Sequence, residues 1–205
     1  SNNVILRGIN LGGWMLQDPY MLQFVGAASS QHEFKQKLVQ FIGQENTDNF
    51  YQSWLDNFIT EADIQSLASL GFNSVRLPMH YNLFTLPIQD EPVTNQNTWI
   101  NTGFDLVDNL LDWCSQNNMY LILDLHAAPG GQGYGSDIND YNPNLPSLWE
   151  SEENKNKTIA LWGELANRYK DEQWIGGYDL PNETHWALQE NELRNFYLDV
   201  TNEIR

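Results

Sequence analysis

The sequence predicts an α/β fold in which helices cover a parallel sheet. Four short segments are almost wholly apolar, as expected of strands that are buried on both faces. A strand with one solvent-exposed face would alternate polar and apolar residues. Stretches with helical spacing of apolar residues separate these segments, an order typical of strand–helix–strand units. The 205 residues, 41% of them hydrophobic, can supply the core of one large domain or two small ones. An open doubly wound sheet and a closed eight-stranded barrel both fit this pattern.

The first two strands are predicted in the N-terminal third of the chain. An apolar run at residues 4–6 leads into a glycine-rich stretch at 7–13, which indicates a buried strand opening into a loop. The segment at 60–63, TEAD, matches a capping box, so we predict a helix that begins there. Gly71 fits the C-terminus of that helix, where a positive φ favours glycine, and the second strand follows at 73–78.

Two further strands are predicted at residues 120–126 and 175–180. The helix before the third strand carries apolar side chains at three- and four-residue spacing: Val107, Leu110, Leu111 and Cys114. After a long polar loop comes another helix, with one apolar face formed by Trp162, Leu165, Ala166 and Tyr169. The spacing of apolar residues across 189–204 predicts a last helix after the fourth strand.

The charge of the chain limits its partners. Lys and Arg number 10 against 27 Asp and Glu, for a net charge of -17, so anionic surfaces repel the protein. No apolar run is long enough to span a bilayer, so we expect neither nucleic acid nor a membrane as a partner. The single cysteine, Cys114, excludes an intrachain disulfide and fits a small core residue.

Polar residues collect where the predicted strands end. The carboxyl ends of parallel strands share one edge of a sheet, and ligand sites lie there in both candidate architectures. The pairs found at these ends are Asn10 with Trp14, Arg76 with His80, Asp124 with His126, and Asn182 with Glu183. We therefore expect these side chains to form the functional edge of the sheet.

Several other chemistries are disfavoured. The glycine-rich loop at 130–135 lacks the Gly-Lys-Ser/Thr of a phosphate loop, and the acidic loop at 137–142 does not close on a calcium-binding Glu. The four histidines form no pair at zinc-ligand spacing, and no Gly-x-Ser-x-Gly elbow is present. We expect no metal and no cofactor. Carboxylate chemistry in an aromatic, acidic cleft remains, and glycoside hydrolysis requires such a site.

Four ordered segments resemble the family 5 glycoside hydrolases. They are RGINLGGW at 7–14, GFNSVRLP at 71–78, LDLHAAPGGQ at 123–132 and IGGYDLPNE at 175–183. The resemblance covers essentially the whole chain. It implies a (β/α)₈ TIM barrel that cleaves β-linked sugars, of which this chain supplies about the first four β/α units.

The resemblance also implies roles for particular residues. Glu183 would be the general acid/base, and Asn182 would hydrogen-bond the 2-hydroxyl of the sugar being cleaved. Arg76 would lie beneath the catalytic carboxylates and keep the nucleophile ionised, while His126 would line the same sugar subsite.

Three further positions are predicted to bind substrate. Asp18 falls where exo-β-1,3-glucanase-like members carry a Glu, so it would contact a sugar hydroxyl. Trp14 and His80 lie at the ends of the first two strands and are expected to line the cleft. One departure from the family is Thr184, which stands where the family has a proline after the Asn-Glu pair.

The length of the chain also departs from the family. A barrel of this kind needs roughly 250 residues or more, and the family's nucleophilic Glu lies near the end of the seventh strand. We therefore expect residues 1–205 to be the N-terminal half of a single catalytic domain. The same polypeptide, a second fragment or self-association would supply the other half.

Two functions follow from these expectations. The first is a retaining glycosidase, cellulase- or endoglucanase-like, that hydrolyses a β-glucan outside the cell or in the periplasm, any export signal having been removed or never having existed. The alternative is a catalytically inactive half-barrel that binds carbohydrate.

Overall fold

A computed structural model describes residues 4–24, 26–188 and 191–205. Within these ranges it contains one sheet of four parallel strands, in the order β1-β2-β3-β4. The strands are β1 (Gly8–Asn10), β2 (Ser74–His80), β3 (Tyr120–Ala127) and β4 (Ile175–Pro181). This order leaves β1 and β4 at the two edges of the sheet.

Seven helices accompany the sheet in the described part of the chain. They are α1 (Gln31–Ile42), α2 (Gln44–Asn57), α3 (Glu61–Ser69), α4 (Asn101–Gln116), α5 (Ser136–Asn139), α6 (Glu152–Tyr169) and α7 (Glu192–Ile204). Two short 3₁₀ turns, Tyr81–Leu83 and Ile88–Asp90, follow β2. None of the helices in the described ranges combines the length and apolar character that a bilayer crossing requires.

Most of the predicted elements are confirmed. The strands predicted at 73–78, 120–126 and 175–180 correspond to β2, β3 and β4, with ends shifted by at most two residues. The capping box at the start of α3 is present: the Asp63 carboxylate accepts a hydrogen bond from the Thr60 backbone N–H at 2.8 Å. Gly71 has a φ of +88° directly after that helix, as its position required.

The first strand differs from the prediction. Residues 4–6 are not in a strand, and the described strand is only Gly8–Asn10, which is exposed. Its location explains the error, because β1 is an edge strand that pairs with β2 alone. The last helix is confirmed from Glu192, whereas positions 189 and 190, where it was predicted to begin, lie outside the described residues.

The alternation of side chains along β2 and β3 separates the core from the site. Six residues point to the helices and are fully buried: Val75, Leu77, Met79, Leu121, Leu123 and Leu125. They pack with α4 and α6 residues, among them Val107, Leu110, Leu161 and Trp162. Successive side chains of a strand point to opposite faces, so Arg76, Asp124 and His126 all lie on the other face.

Candidate active site

Arg76 is the centre of a polar cluster that draws one group from each strand. Its Nε and Nη2 donate to Asp179 Oδ2 at 3.0 and 2.8 Å, and Nη2 also lies 3.0 Å from Asp124 Oδ2. Nη1 donates to Asn10 Oδ1 at 3.1 Å, and Nη2 donates to Asn182 Oδ1 at 2.9 Å. The guanidinium therefore contacts side chains from β1, β3 and β4 and from the residue that follows β4.

Asp124 fixes the histidine of the cluster. Its carboxylate is fully buried, and Oδ2 accepts a hydrogen bond from His126 Nδ1 at 2.7 Å. With Nδ1 donating, His126 Nε2 is free to accept from Asn182 Nδ2 at 3.3 Å. Burial raises the pKa of the Asp124 carboxyl, against the opposing effects of His126 and Arg76.

Asn182 and Glu183 follow β4 at the same edge. Asn182 is buried and held on two sides, since its Oδ1 accepts from Arg76 and its Nδ2 donates to His126. Glu183 has an exposed side chain and a φ of +41°, a left-handed conformation that is uncommon for a residue other than glycine. The structure thus brings Arg76, His126 and Asn182 together. Glu183 is the residue that follows Asn182 in the chain.

Aromatic side chains lie on the loops that follow β3 and β4. The rings of Tyr134 and Trp186 stack with centroids 4.0 Å apart, and Tyr141 meets Trp186 edge-on at 5.3 Å. The loops after β3 and β4 meet where Gly133 pairs with His185, so these rings are carried close to the end of β4. We call Tyr134, Tyr141 and Trp186 the aromatic wall. Tyr134 is 52% exposed and offers a ring face to a ligand.

Two of the predicted substrate-binding residues are buried and hydrogen-bonded to partners outside the cluster of Arg76. Trp14 is 1% exposed, and its indole N–H donates to the Leu55 carbonyl at 2.8 Å, so it is a core residue. His80 is 2% exposed and both ring nitrogens are engaged: Nε2 with Asp140 Oδ2 at 2.9 Å and Nδ1 with the Asn82 N–H at 3.1 Å. Contact of either residue with a sugar stays a prediction.

Asp140 joins His80 to α1. Its other oxygen, Oδ1, accepts from both the backbone N–H and Nδ1 of His32, each at 2.8 Å. Burial raises the pKa of the Asp140 carboxyl, but the hydrogen bonds from His32 and His80 outweigh it and hold the pKa at about 2. This trio ties α1 to the end of β2 and lines a cavity of about 370 Å³.

Asp18 is a buried carboxylate in the segment between β1 and α1. It is 7% exposed, and its Oδ1 accepts from the Tyr20 N–H at 3.2 Å. Burial raises the pKa of its carboxyl, and the charges of Asp137 and His126 also act on it. Contact between Asp18 and a sugar hydroxyl remains a prediction.

Sequence reasoning missed Asp179, Gln132 and the aromatic wall. A carboxylate at Asp179 inside an otherwise apolar strand was a usable signal, because burying a charge without a partner is costly. Gln132 belongs to the motif at 123–132, but the sequence gives no sign of its three side-chain hydrogen bonds, one of which reaches Asn182 50 positions away.

Residues 31–205 match the family model described as cellulase, glycosyl hydrolase family 5. The chain belongs to glycosyl hydrolase family 5. A β-xylosidase of Phanerodontia chrysosporium is 36% identical over 182 residues, which are 89% of this chain and 36% of that protein. A probable glucan 1,3-β-glucosidase A of Aspergillus niger is 28% identical over 196 residues, 94% of this chain and 45% of that protein.

The comparison with solved structures concerns the fold. The rutinosidase of Aspergillus niger superposes with a TM-score of 0.74 at 20% identity, over 97% of this chain and 58% of that one. The predicted fold is thereby confirmed: the sheet is a four-strand part of a (β/α)₈ barrel. This family 5 chain spans less than half the length of the two curated relatives described above.

Proposed function

We propose that the complete protein is a retaining β-glycosidase and that this chain carries its general acid/base, Glu183. The observation that carries the proposal is the double anchoring of Asn182 by Arg76 and His126, because Glu183 is the next residue. An exposed carboxyl group at the carboxyl end of a barrel strand, beside ordered polar groups, is placed to meet a ligand.

The proposed reaction uses two carboxyl groups. Glu183 gives its proton to the leaving oxygen as the glycosidic C–O bond breaks, and a second carboxylate forms a bond with the anomeric carbon. Glu183, now ionised, then removes a proton from a water molecule whose oxygen displaces that carboxylate. The nucleophile is expected outside these 205 residues, on the C-terminal half of the barrel.

Asn182 and Arg76 have supporting roles in this proposal. One N–H of Asn182 Nδ2 is directed at His126, so the other is available to the 2-hydroxyl of the sugar. Arg76 presents a fixed positive charge beneath the site, which would keep an arriving nucleophile ionised. His126 on β3 and Asp18 in the segment after β1 would each contact a sugar hydroxyl.

The proposed substrate is a β-linked glucan or a related oligosaccharide. Relatives named β-xylosidase and glucan 1,3-β-glucosidase support this class of substrate. The aromatic wall supports it as well, since it lies on the loops after β3 and β4, Tyr134 in it is half exposed, and sugar rings stack on aromatic side chains. A polysaccharide of this kind is met outside the cell, so we propose an extracellular or periplasmic location.

We also propose that residues 1–205 form the N-terminal half of one catalytic domain. The edge strand β1 is exposed, and residues 4–6 before it are exposed although apolar. Unpaired strand edges are ready to pair with further strands. The remaining polypeptide, a second fragment or self-association would cover them and complete the site.

The test compares the full-length protein with its Glu183→Gln variant. We expect the variant to lose about 10²–10⁴-fold in turnover of unactivated β-glucosides, because an amide cannot donate a proton to the leaving oxygen. Aryl glycosides with good leaving groups should be affected much less in the glycosylation step. Glu45→Gln, at an exposed position on α2, is the matched control. Sugar binding without hydrolysis by the wild-type protein would instead identify an inactive carbohydrate-binding barrel.

A further inference from the structure

A buried glutamine links the loop after β3 to the catalytic end of β4. The side chain of Gln132 is inaccessible to solvent, and its Nε2 donates to the carbonyls of His126 and Asn182, each at 2.7 Å. Its Oε1 accepts from the Ala128 N–H at 3.1 Å. Its own backbone carbonyl accepts from the Trp149 indole N–H at 2.9 Å, which fixes the residue from the other side.

These contacts define the orientation of the amide. Two carbonyl oxygens can only accept, so Nε2, with its two N–H groups, must face them. The Ala128 N–H can only donate, so Oε1 must face it. Both N–H groups of the amide and one of the two acceptor sites on its oxygen are therefore used. In this buried position a flipped amide would lose these hydrogen bonds.

The Asn182 carbonyl belongs to the peptide group that precedes Glu183. The orientation of this peptide plane sets φ of Glu183, which is +41° and therefore strained for a residue other than glycine. A strained residue keeps its conformation only where surrounding contacts hold it. The hydrogen bond from Gln132 to the Asn182 carbonyl acts directly on that plane.

The residue after Gln132 supports the same turn. Gly133 pairs with His185, and a Cβ at Gly133 would lie 3.1 Å from the Glu183 carbonyl. Two consecutive residues of the loop after β3 therefore contact the turn around Glu183. Gln132 contacts the peptide group before Glu183, and Gly133 lies against the peptide group after it.

We propose that Gln132 is a positioning residue for the general acid/base. It holds the Asn182–Glu183 peptide so that the Glu183 carboxyl faces the leaving oxygen, and through the His126 carbonyl it keeps β3 and β4 aligned at the site. This role rests on the function proposed above for Glu183. It does not require Gln132 to touch substrate.

The test is Gln132→Met in the full-length protein, because methionine has similar length and volume but cannot donate or accept these hydrogen bonds. We expect kcat to fall about 10-fold to 100-fold with little change in KM, since a misplacement of about 1 Å can cost that much. The loss should shrink as the leaving group becomes better, because a good leaving group needs less protonation. A steeper dependence of kcat on leaving-group pKa is the signature that a purely structural role would not give.

Asn154 provides a matched control. Its buried amide also donates to two backbone carbonyls, those of Pro146 at 2.9 Å and Ser147 at 3.2 Å, but it does not reach β4. Asn154→Leu should lower the thermal midpoint to a similar extent while leaving the leaving-group dependence as in the wild type.

A second variant keeps the test decisive if Gln132→Met does not fold. Gln132→Glu has the same shape, but even when protonated it can donate to only one of the two carbonyls, so the same steepened dependence is expected. An unchanged dependence in a folded Gln132 variant would overturn the positioning role and leave the function of Glu183 intact. An inactive wild-type protein, or full activity in Glu183→Gln, would instead remove the proposed function, and the positioning role with it.

Discussion

Arg76 and Asp179 are joined across an intervening strand. They lie on β2 and β4, which do not pair with each other, and two guanidinium nitrogens contact one carboxylate oxygen at 3.0 and 2.8 Å. A charge-assisted contact with two donors fixes the plane of the guanidinium as well as its position. The contact therefore orients the cation of the site before a ligand or a second carboxylate arrives.

Asp179→Ala is expected to lower kcat/KM for β-glucosides by about tenfold, in line with the loss of a hydrogen bond to a charged group. Stability should change by less than about 1 kcal/mol, because this ion pair is partly exposed to solvent. Steady-state kinetics and thermal melting separate the two effects. The control is Asp108→Ala, which breaks a comparable, half-exposed pair with Arg168 away from the strand ends. Equal kinetic losses in both variants would refute a specific role for Asp179.

Asn182→Ala should reduce kcat more than it raises KM. Hydrogen bonds to the 2-hydroxyl strengthen as the oxocarbenium-like transition state forms, so their loss affects the rate most. Asn182→Asp is the informative companion, because it keeps an acceptor for Arg76 and removes the donor for His126 and sugar. A change confined to KM in either variant would contradict this assignment.

The trio of His32, Asp140 and His80 predicts a pH dependence of stability. The hydrogen bond with Asp140 raises the pKa of His32 above 6.5, so this contribution is complete below pH 6.5 and is lost as pH rises through the folded-state pKa. The pKa of Asp140 is lowered from 3.8 to about 2, so its contribution is complete above pH 3.8 and is lost as pH falls towards 2.

The difference in unfolding free energy between wild type and His32→Gln should therefore be largest between about pH 4 and 6.5. We expect about 1 kcal/mol, since His32 is 31% exposed and solvent screens its charge. Chemical unfolding at several pH values measures it. Asp140→Asn should abolish the dependence, and a difference that stays flat from pH 4 to 9 would rule out the linkage.

We expect a larger loss of stability when the buried ion pair of Lys157 is broken. Its ammonium is 2% exposed and lies 2.5 Å from the fully buried Glu91 carboxylate, with further bonds to Thr85 and Asn97. Lys157→Met should destabilise the protein by about 3–5 kcal/mol, because it leaves a buried, unpaired charge. The double variant Lys157→Met/Glu91→Leu should recover much of that loss in urea unfolding. A double variant as unstable as the single one would show that the pair is net stabilising.

The sequence predicted the strands that carry continuous apolar runs. It also predicted the capping box that begins α3 and the glycine that follows its C-terminus. It also predicted that Arg76, His126 and Asn182 meet, because parallel strands end at one edge. Neither α1 nor α2 was predicted, although Phe50, Trp54 and Leu55 recur at helical spacing in α2. Both helices contribute little to the core, since α1 buries no residue and α2 buries only Thr47.

The burial of Trp14 and His80 could not be predicted, for a common reason. Residues that follow a strand can turn towards the cleft or into the interior, and the choice depends on partners distant in sequence. For Trp14 the partner is Leu55, and for His80 it is Asp140, 60 positions away. The bond of Arg76 to Asp179 spans 103 positions and was equally invisible.

The sequence separation between Arg76 and its partners affects the order in which the molecule folds. Arg76 contacts residues 66, 103 and 106 positions along the chain, and contacts between distant residues form slowly because large loops must first close. We expect the guanidinium to acquire its partners only when all four strands are already in register. Refolding followed by sugar binding should therefore lag behind refolding followed by helix content, because the arginine completes the site only after the sheet has formed.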